Sequence, residues 1–211
     1  APVTCGSCGV GWACNGGTGA CEYHVVMSEV ATQGPAGAED EFVELYNPGD
    51  TAMTLTGLLL QYRAGTNTTS WANKITSAGL PTASVPAKGY FLIGSSGYGS
   101  AAAADYKHAS SWSLSADSGS LQLAQPTSLA VLDVLGWGTT LTAEGKPAAS
   151  ALAVVGGSLE RKASASSTAA SLGEGGSEAA KGNGFDSDQN ALDWVLRLVR
   201  QPQNKASGSE P

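Results

Sequence analysis

From residue 24 onward, apolar and polar side chains alternate in short runs separated by turn formers. "EFVELYN" (41–47) sets Phe42, Glu44 and Tyr46 on one side and Val43 and Leu45 on the other, the two-residue period of a strand. Pro48, Gly49 and Asp50 then break it as a turn. "HVVMSEVA" (24–31) precedes it and "MTLTGLLLQYR" (53–63) follows, with Gly57 marking a bulge or a close backbone approach. Tyr90 to Ile93 form a short buried run after a turn at 86–89, and "GSLQLAQP" and "SLAVLDVLGWG" read as two arms of a hairpin. "SALAVVGGSLERKA" and "DWVLRLVRQP" supply the last strands, while "TAASLGEGGSEAAK" has three glycines and no apolar stripe and reads as a loop. About eight short strands with Gly and Pro turns and no amphipathic helix predict an all-β fold, a sandwich or barrel.

Composition narrows the class. The 211 residues include 28 glycines, 14% charged residues and a net charge of −7, a balance that suits an extracellular all-β protein. No basic track exists to displace counterions from phosphates, so nucleic acid is excluded as a partner. No apolar run reaches the roughly 18 residues of a membrane helix, so no membrane insertion is expected. "APVTC" has neither a charged n-region nor an apolar h-region, which predicts a secreted or cell-surface protein whose signal peptide is already removed.

All cysteines sit in "CGSCGVGWACNGGTGAC", at Cys5, Cys8, Cys14 and Cys21. So short a Gly-rich segment needs staples. Two disulfides of open connectivity are the leading reading and a four-thiolate zinc knot its rival. The expected organisation is a cysteine-rich segment (1–23), a β body (24–204) and a polar tail (205–211), frayed or linking onward.

The order of motifs in the body, "VVMSEV", "DEFVELYNPGD", "LTGLLLQ", "VPAKGYFLI", "SLERK" and "GFDSDQNALDW", resembles the lamin-tail domain in its bacterial, secreted form, from about His24 to Asn204. The resemblance implies an immunoglobulin-like antiparallel β-sandwich and an extracellular setting beside adhesion, nuclease or other hydrolase modules. It also implies that Arg161 pairs with a carboxylate of the Asp-rich turn and ties two strands together. The cysteine segment and the long loops at 63–84 and 95–119 depart from the family pattern.

The Asp-rich turn, "GFDSDQNALDW", is not an EF-hand: counted from Asp186, Ala191 stands where the loop needs Gly and Arg197 where it needs a bidentate Glu. Asp and Asn bonding their own backbone explain it as Asx turns. A looser calcium site using Asp186, Asp188, Asn190 and Asp193 is the alternative cofactor reading. No nucleophile elbow, Walker loop or zinc-protease motif occurs. His108 lies in a loop, and Glu41 with Glu44, or Glu29 with Glu44, would be the only glycosidase-like pairs. Trp137 and Trp194 read as core, whereas Trp71 and Trp112 fall in the long loops, where indoles among Ser, Thr and Asn suit a binding surface. The expectation is a non-catalytic extracellular or cell-surface module that binds a protein or glycan partner. The alternative is a structural subunit of a self-assembling fibre or surface layer whose first segment contacts a neighbour, and a lesser one is a secreted hydrolase.

Overall fold

The computed structural model describes residues 12–15, 20–67, 69–125, 131–149 and 154–211, with backbone alone for 12–15 and 20–23. There, β1 (Trp12–Asn15) and β2 (Ala20–Tyr23) form an antiparallel hairpin that sets Cys14 opposite Cys21. The four cysteine side chains lie outside the described residues, and no disulfide is present among the described ones. The expected disulfide-stapled segment therefore has no counterpart there.

Two larger sheets make the body. The first takes β3 (Val26–Ala31), β4 (Phe42–Tyr46), β9 (Tyr90–Gly94), β10 (Tyr106–Lys107), β13 (Ser158–Arg161) and β14 (Trp194–Arg197), in the order β10-β9-β4-β3-β13-β14. The second takes β6 (Leu59–Ala64), β7 (Ala72–Ile75), β11 (Gly119–Ala124) and β12 (Val131–Trp137), in the order β12-β11-β6-β7. A two-stranded ladder pairs β5 (Met53–Thr54) with β8 (Ser84–Val85), and single helical turns stand at α1 (Ala169–Leu172) and α2 (Asn190–Asp193).

The all-β class stands, but the expectation of an immunoglobulin-like antiparallel β-sandwich is corrected. The six-stranded sheet is mixed, because β10 runs parallel to β9, whereas the immunoglobulin pattern is antiparallel throughout. Neither sheet closes: β10 and β14 end one, β12 and β7 the other. The reason lies in the connection. A tight hairpin would return the chain antiparallel, while the long stretch 95–105 carries it over to run alongside β9 in the same direction.

The two sheets share one apolar core. Val30, Val43, Leu45, Phe91, Ile93 and Leu159 come from the first sheet, and Leu60, Tyr62, Leu121, Leu123, Leu135 and Trp137 from the second. The outer face of the six-stranded sheet is buried as well. Phe42, Leu92 and Tyr98 cluster at one end, and Val26, Tyr46 and Tyr90 at the other. Residues 201–211, expected to be frayed toward their end, cover part of that face: Tyr46 donates to Glu210 O at 2.6 Å and Glu210 N to Lys88 O at 2.7 Å.

Candidate functional site

The strongest concentration of polar chemistry lies where the two sheets meet. A bulge between Met27 and Glu29 shifts the register of β3 against β4, and β13 pairs with β3 only at Leu159 and Glu160. Met27 is thus left without a regular ladder partner on that side, and a buried peptide group must find another. Asp133 and Arg161 provide it. Met27 N donates to Asp133 Oδ2 at 2.6 Å, and Arg161 Nε donates to Met27 O at 2.7 Å. Arg161 also bonds Asp133 Oδ1 at 2.6 Å, and neither side chain has any exposure. Its Nη1 lies 3.4 Å from Asp186, and its guanidinium stacks over Trp194 at 4.8 Å. Asp133 sits on β12 and Arg161 on β13, so this pair bolts one sheet to the other.

Glu144 completes the cluster. It accepts from Val134 N at 3.0 Å and from Asn190 Nδ2 at 3.1 Å. Burial, and then the nearby charges of Asp133 and Asp186, push its carboxyl from 4.5 up to about 9, so it holds a proton at neutral pH. Asp133, Glu144 and Asp186 each present a carboxylate oxygen, all within 4.8 Å of one another. Such a spacing can coordinate a divalent ion such as calcium, and an all-oxygen donor set suits it. Arg161 already engages two of the three carboxylates, and the proton on Glu144 competes with any cation. Calcium is therefore expected to raise the melting temperature near pH 9 and to leave it unshifted near pH 6, with chelator as the reference. An equal response at both would separate the ion from this cluster.

Of the four residues first grouped as calcium ligands, only Asp186 enters the cluster. Its Oδ1 also accepts from Asp188 N at 3.1 Å, an Asx turn, with Asp188 in the left-handed region at φ 57° and exposed. Asp193 accepts from Ser187 N at 3.0 Å, Ser187 Oγ at 2.5 Å and Gln189 N at 3.0 Å, closing the turn. Asn190 accepts from Gly136 N at 2.8 Å and donates to Val134 O at 2.8 Å, taking over the free edge of β12. Arg161 reaches the Asp-rich turn, as the resemblance implies, while Asp133 and Glu144 come from segments that no sequence motif joins to that turn.

The candidate catalytic residues do not converge. Glu41 accepts the N–H groups of Trp112 at 2.9 Å, Ser113 at 3.1 Å and Leu114 at 2.6 Å, which pins the long loop onto the core. Trp112 is consequently 1% exposed and part of the shared core. Glu29 and Glu44 stand opposite each other in register but are buried under residues 201–203. His108 pairs within its own loop, with Ser110, and His24 with Val25 O. Among the described residues, no nucleophile, base and acid share a cleft.

Trp71 behaves differently from Trp112. It is half-buried beside β7, with the Arg63 guanidinium 4.7 Å over its ring. Next to it, on the outer face of the four-stranded sheet, a row of amides crosses three strands: Gln122 Nε2 donates to Gln61 Oε1 at 2.6 Å, and Gln61 Nε2 to Asn73 Oδ1 at 2.8 Å.

Open sheets, one of them mixed, joined by a buried ionic cluster define an all-β domain. The Lamin Tail Domain family model matches residues 21–139, more than half of the chain, and the chain belongs to that family. The match stops before Glu144, Arg161 and Asp186, so most of the cluster lies beyond the matched stretch. Among solved structures, the chain is similar to a DUF4876 family protein from Bacteroides thetaiotaomicron, at a TM-score of 0.51 and 12% identity, over 84% of this chain and 72% of that one. At that identity the likeness concerns the fold alone. No curated protein sequence matches the chain. Among the described residues no helix is long and apolar enough to cross a membrane.

Proposed function

We propose that this domain is an extracellular or cell-surface recognition module that binds a glycan chain on the outer face of its four-stranded sheet. One observation carries the reading: the half-exposed Trp71, held flat by Arg63, continues into the amide row of Asn73, Gln61 and Gln122. An indole offers a flat apolar surface for the C–H face of a sugar ring, and planar amides offer donors and acceptors to hydroxyls. Neighbouring strands stand about 4.8 Å apart, a spacing comparable to one sugar ring. A chain leaving Trp71 thus meets the accessible amides of Asn73 and Gln61, while the buried Gln122 braces Gln61 through its hydrogen bond. The amides are already ordered by their bonds to one another, which lowers the ordering cost of binding.

Affinity electrophoresis against a panel of neutral and acidic polysaccharides tests the reading. Trp71→Ala is expected to weaken a retained polysaccharide by tenfold or more, about 1.4 kcal/mol, with an unchanged melting temperature. Retention that is indifferent to Trp71, or binding to proteins only, would set the glycan reading aside. A second reading, self-assembly, draws support from Leu192, Leu198 and Val199, at 59%, 68% and 69% exposed around the open-edge strand β14. A concentration-dependent mass in sedimentation would favour it, since an uncovered edge can pair with another strand.

A further inference from the structure

The opposite face, the outer side of the six-stranded sheet, carries three glutamates in one row. Register places Glu44 on β4 opposite Glu29 on β3, and Glu29 opposite Glu160 on β13. Successive strands thus set three carboxylates side by side, where like charges repel. Residues 201–211 lie across this row as a strap. Gln201 N donates to Glu29 at 3.1 Å and Gln203 N donates to Glu44. Beyond them Tyr90 bonds the Glu210 carboxylate at 2.7 Å, Gln203 Nε2 bonds it at 2.6 Å, and Lys205 N donates to Asp105 at 3.1 Å. The strap is held by polar contacts, and two of them end on the glutamates that it buries. Such a segment opens at far lower cost than the core.

We infer that residues 201–211 form a proton-gated strap: it lies closed while at least one carboxyl of the facing Glu29 and Glu44 keeps its proton, and lifts when both ionise. Closed, the strap strips water from the two carboxyls, and for each of them burial outweighs the hydrogen bonds that favour the anion. Ionising both would leave two facing charges under a dry cover, and lifting the strap returns them to water. The other charged and titratable groups facing the pair are Glu160 from β13, Arg197 from β14, Tyr90 from β9, Tyr98 from the following loop, and Arg200 and Glu210 at the two ends of the strap. Arg197 is committed to Glu160, and Arg200 to Asp40 at 2.5 Å. Both cations still favour the Glu29 anion through space, but burial outweighs them. Water has a route in, because a half-open cavity of about 290 Å³ lies between the strap and the 172–183 loop and is lined by Glu160, Asn183, Gln201 and Gln203. The inference concerns the face away from Trp71 and does not depend on the glycan reading.

Lys205 lies inside the strap and is exposed, which gives the test. The full chain is digested with trypsin between about pH 7 and pH 9.5, and cleavage after Lys205 is followed by mass. A free peptide of the same sequence supplies the reference rate, so the ratio reports the open fraction. The ratio is expected to rise up to about tenfold per pH unit as the pair ionises, while tryptophan emission stays native. Glu44→Gln is expected to flatten the profile, and Glu29→Gln is run beside it in case one variant fails to fold. A ratio that does not change with pH, a rise of equal steepness in the folded variants, or loss of native emission in step with cleavage would overturn the strap.

Discussion

Arg161→Met is expected to lower unfolding stability by about 3–5 kcal/mol, the usual cost of breaking a buried ion pair from one side. The substitution keeps most of the side-chain volume but leaves the Asp133 carboxylate, which has no exposure, facing Asp186 without its cation. It also strips Met27 O of the bond from Arg161 Nε and removes the guanidinium from the Trp194 ring. A double variant, Arg161→Met with Asp133→Leu, is expected to regain part of the loss, because an apolar pair needs no desolvation of charge. It should not regain all of it. Met27 N and Met27 O, bonded to Asp133 and Arg161 at the bulge, would both be left unpaired, at about 1–3 kcal/mol for each buried group. Urea unfolding checks the series: a loss below about 1 kcal/mol for Arg161→Met would show that the cluster does not join the sheets.

The strands of this cluster were legible in the sequence, and so, in principle, was part of the cluster itself. In "VLDVLGW" the two-residue period that points Leu135 and Trp137 inward points Asp133 inward too, and in "SLER" it aligns Arg161 with Leu159. A charged residue in an inward slot requires a partner, and these two are each other's. Glu144 carries no such signal, since it sits in an irregular loop and reaches the cluster only through tertiary contacts with Val134 and Asn190. The strand β10 is equally silent: two residues inside an Ala- and Ser-rich stretch have no period to read. With it went the mixed character of the six-stranded sheet.

The strap was hidden for a different reason. Its residues are polar and look like an extension into solvent, and what anchors them is backbone N–H donated to glutamates far away in sequence. A signal existed on the other partner. In residues 41–47 Phe42 and Tyr46 make the second face nearly as apolar as the first, the mark of a strand covered on both sides. The same lesson applies to Trp112. Loop composition suggested an exposed indole, but Glu41 gathers three consecutive N–H groups of that loop and draws the ring into the core.

Stability is expected to fall as pH rises from about 5 to about 9, the reverse of what a protein held by exposed carboxylate salt bridges would do. Burial, with neighbouring carboxylates, lifts Glu144 from 4.5 to about 9 and Glu160 from 4.5 to about 8, and Glu29 and Glu44 move in the same direction. Between the unfolded and folded values the native state binds more protons than the unfolded chain, so stability decreases with pH. It is fully present below about pH 4.5 and is lost as pH climbs through about 8 and 9, by up to about 1.4 kcal/mol per pH unit for each group while it titrates. Asp40, lowered by its hydrogen bonds to Arg200, Gly99 and Ala36 against the cost of burial, acts in the opposite sense but only in acid, below its ordinary value of 3.8. The two windows do not overlap. Glu144→Gln isolates the inter-sheet share, because the amide mimics the protonated carboxyl yet offers one acceptor where Val134 N and Asn190 Nδ2 need two. The variant should start less stable than the parent near pH 5 and overtake it near pH 9. Parallel melting curves across that range would mean that Glu144 carries no proton in the folded protein, and that the carboxylates between the sheets are neutralised by Arg161 alone.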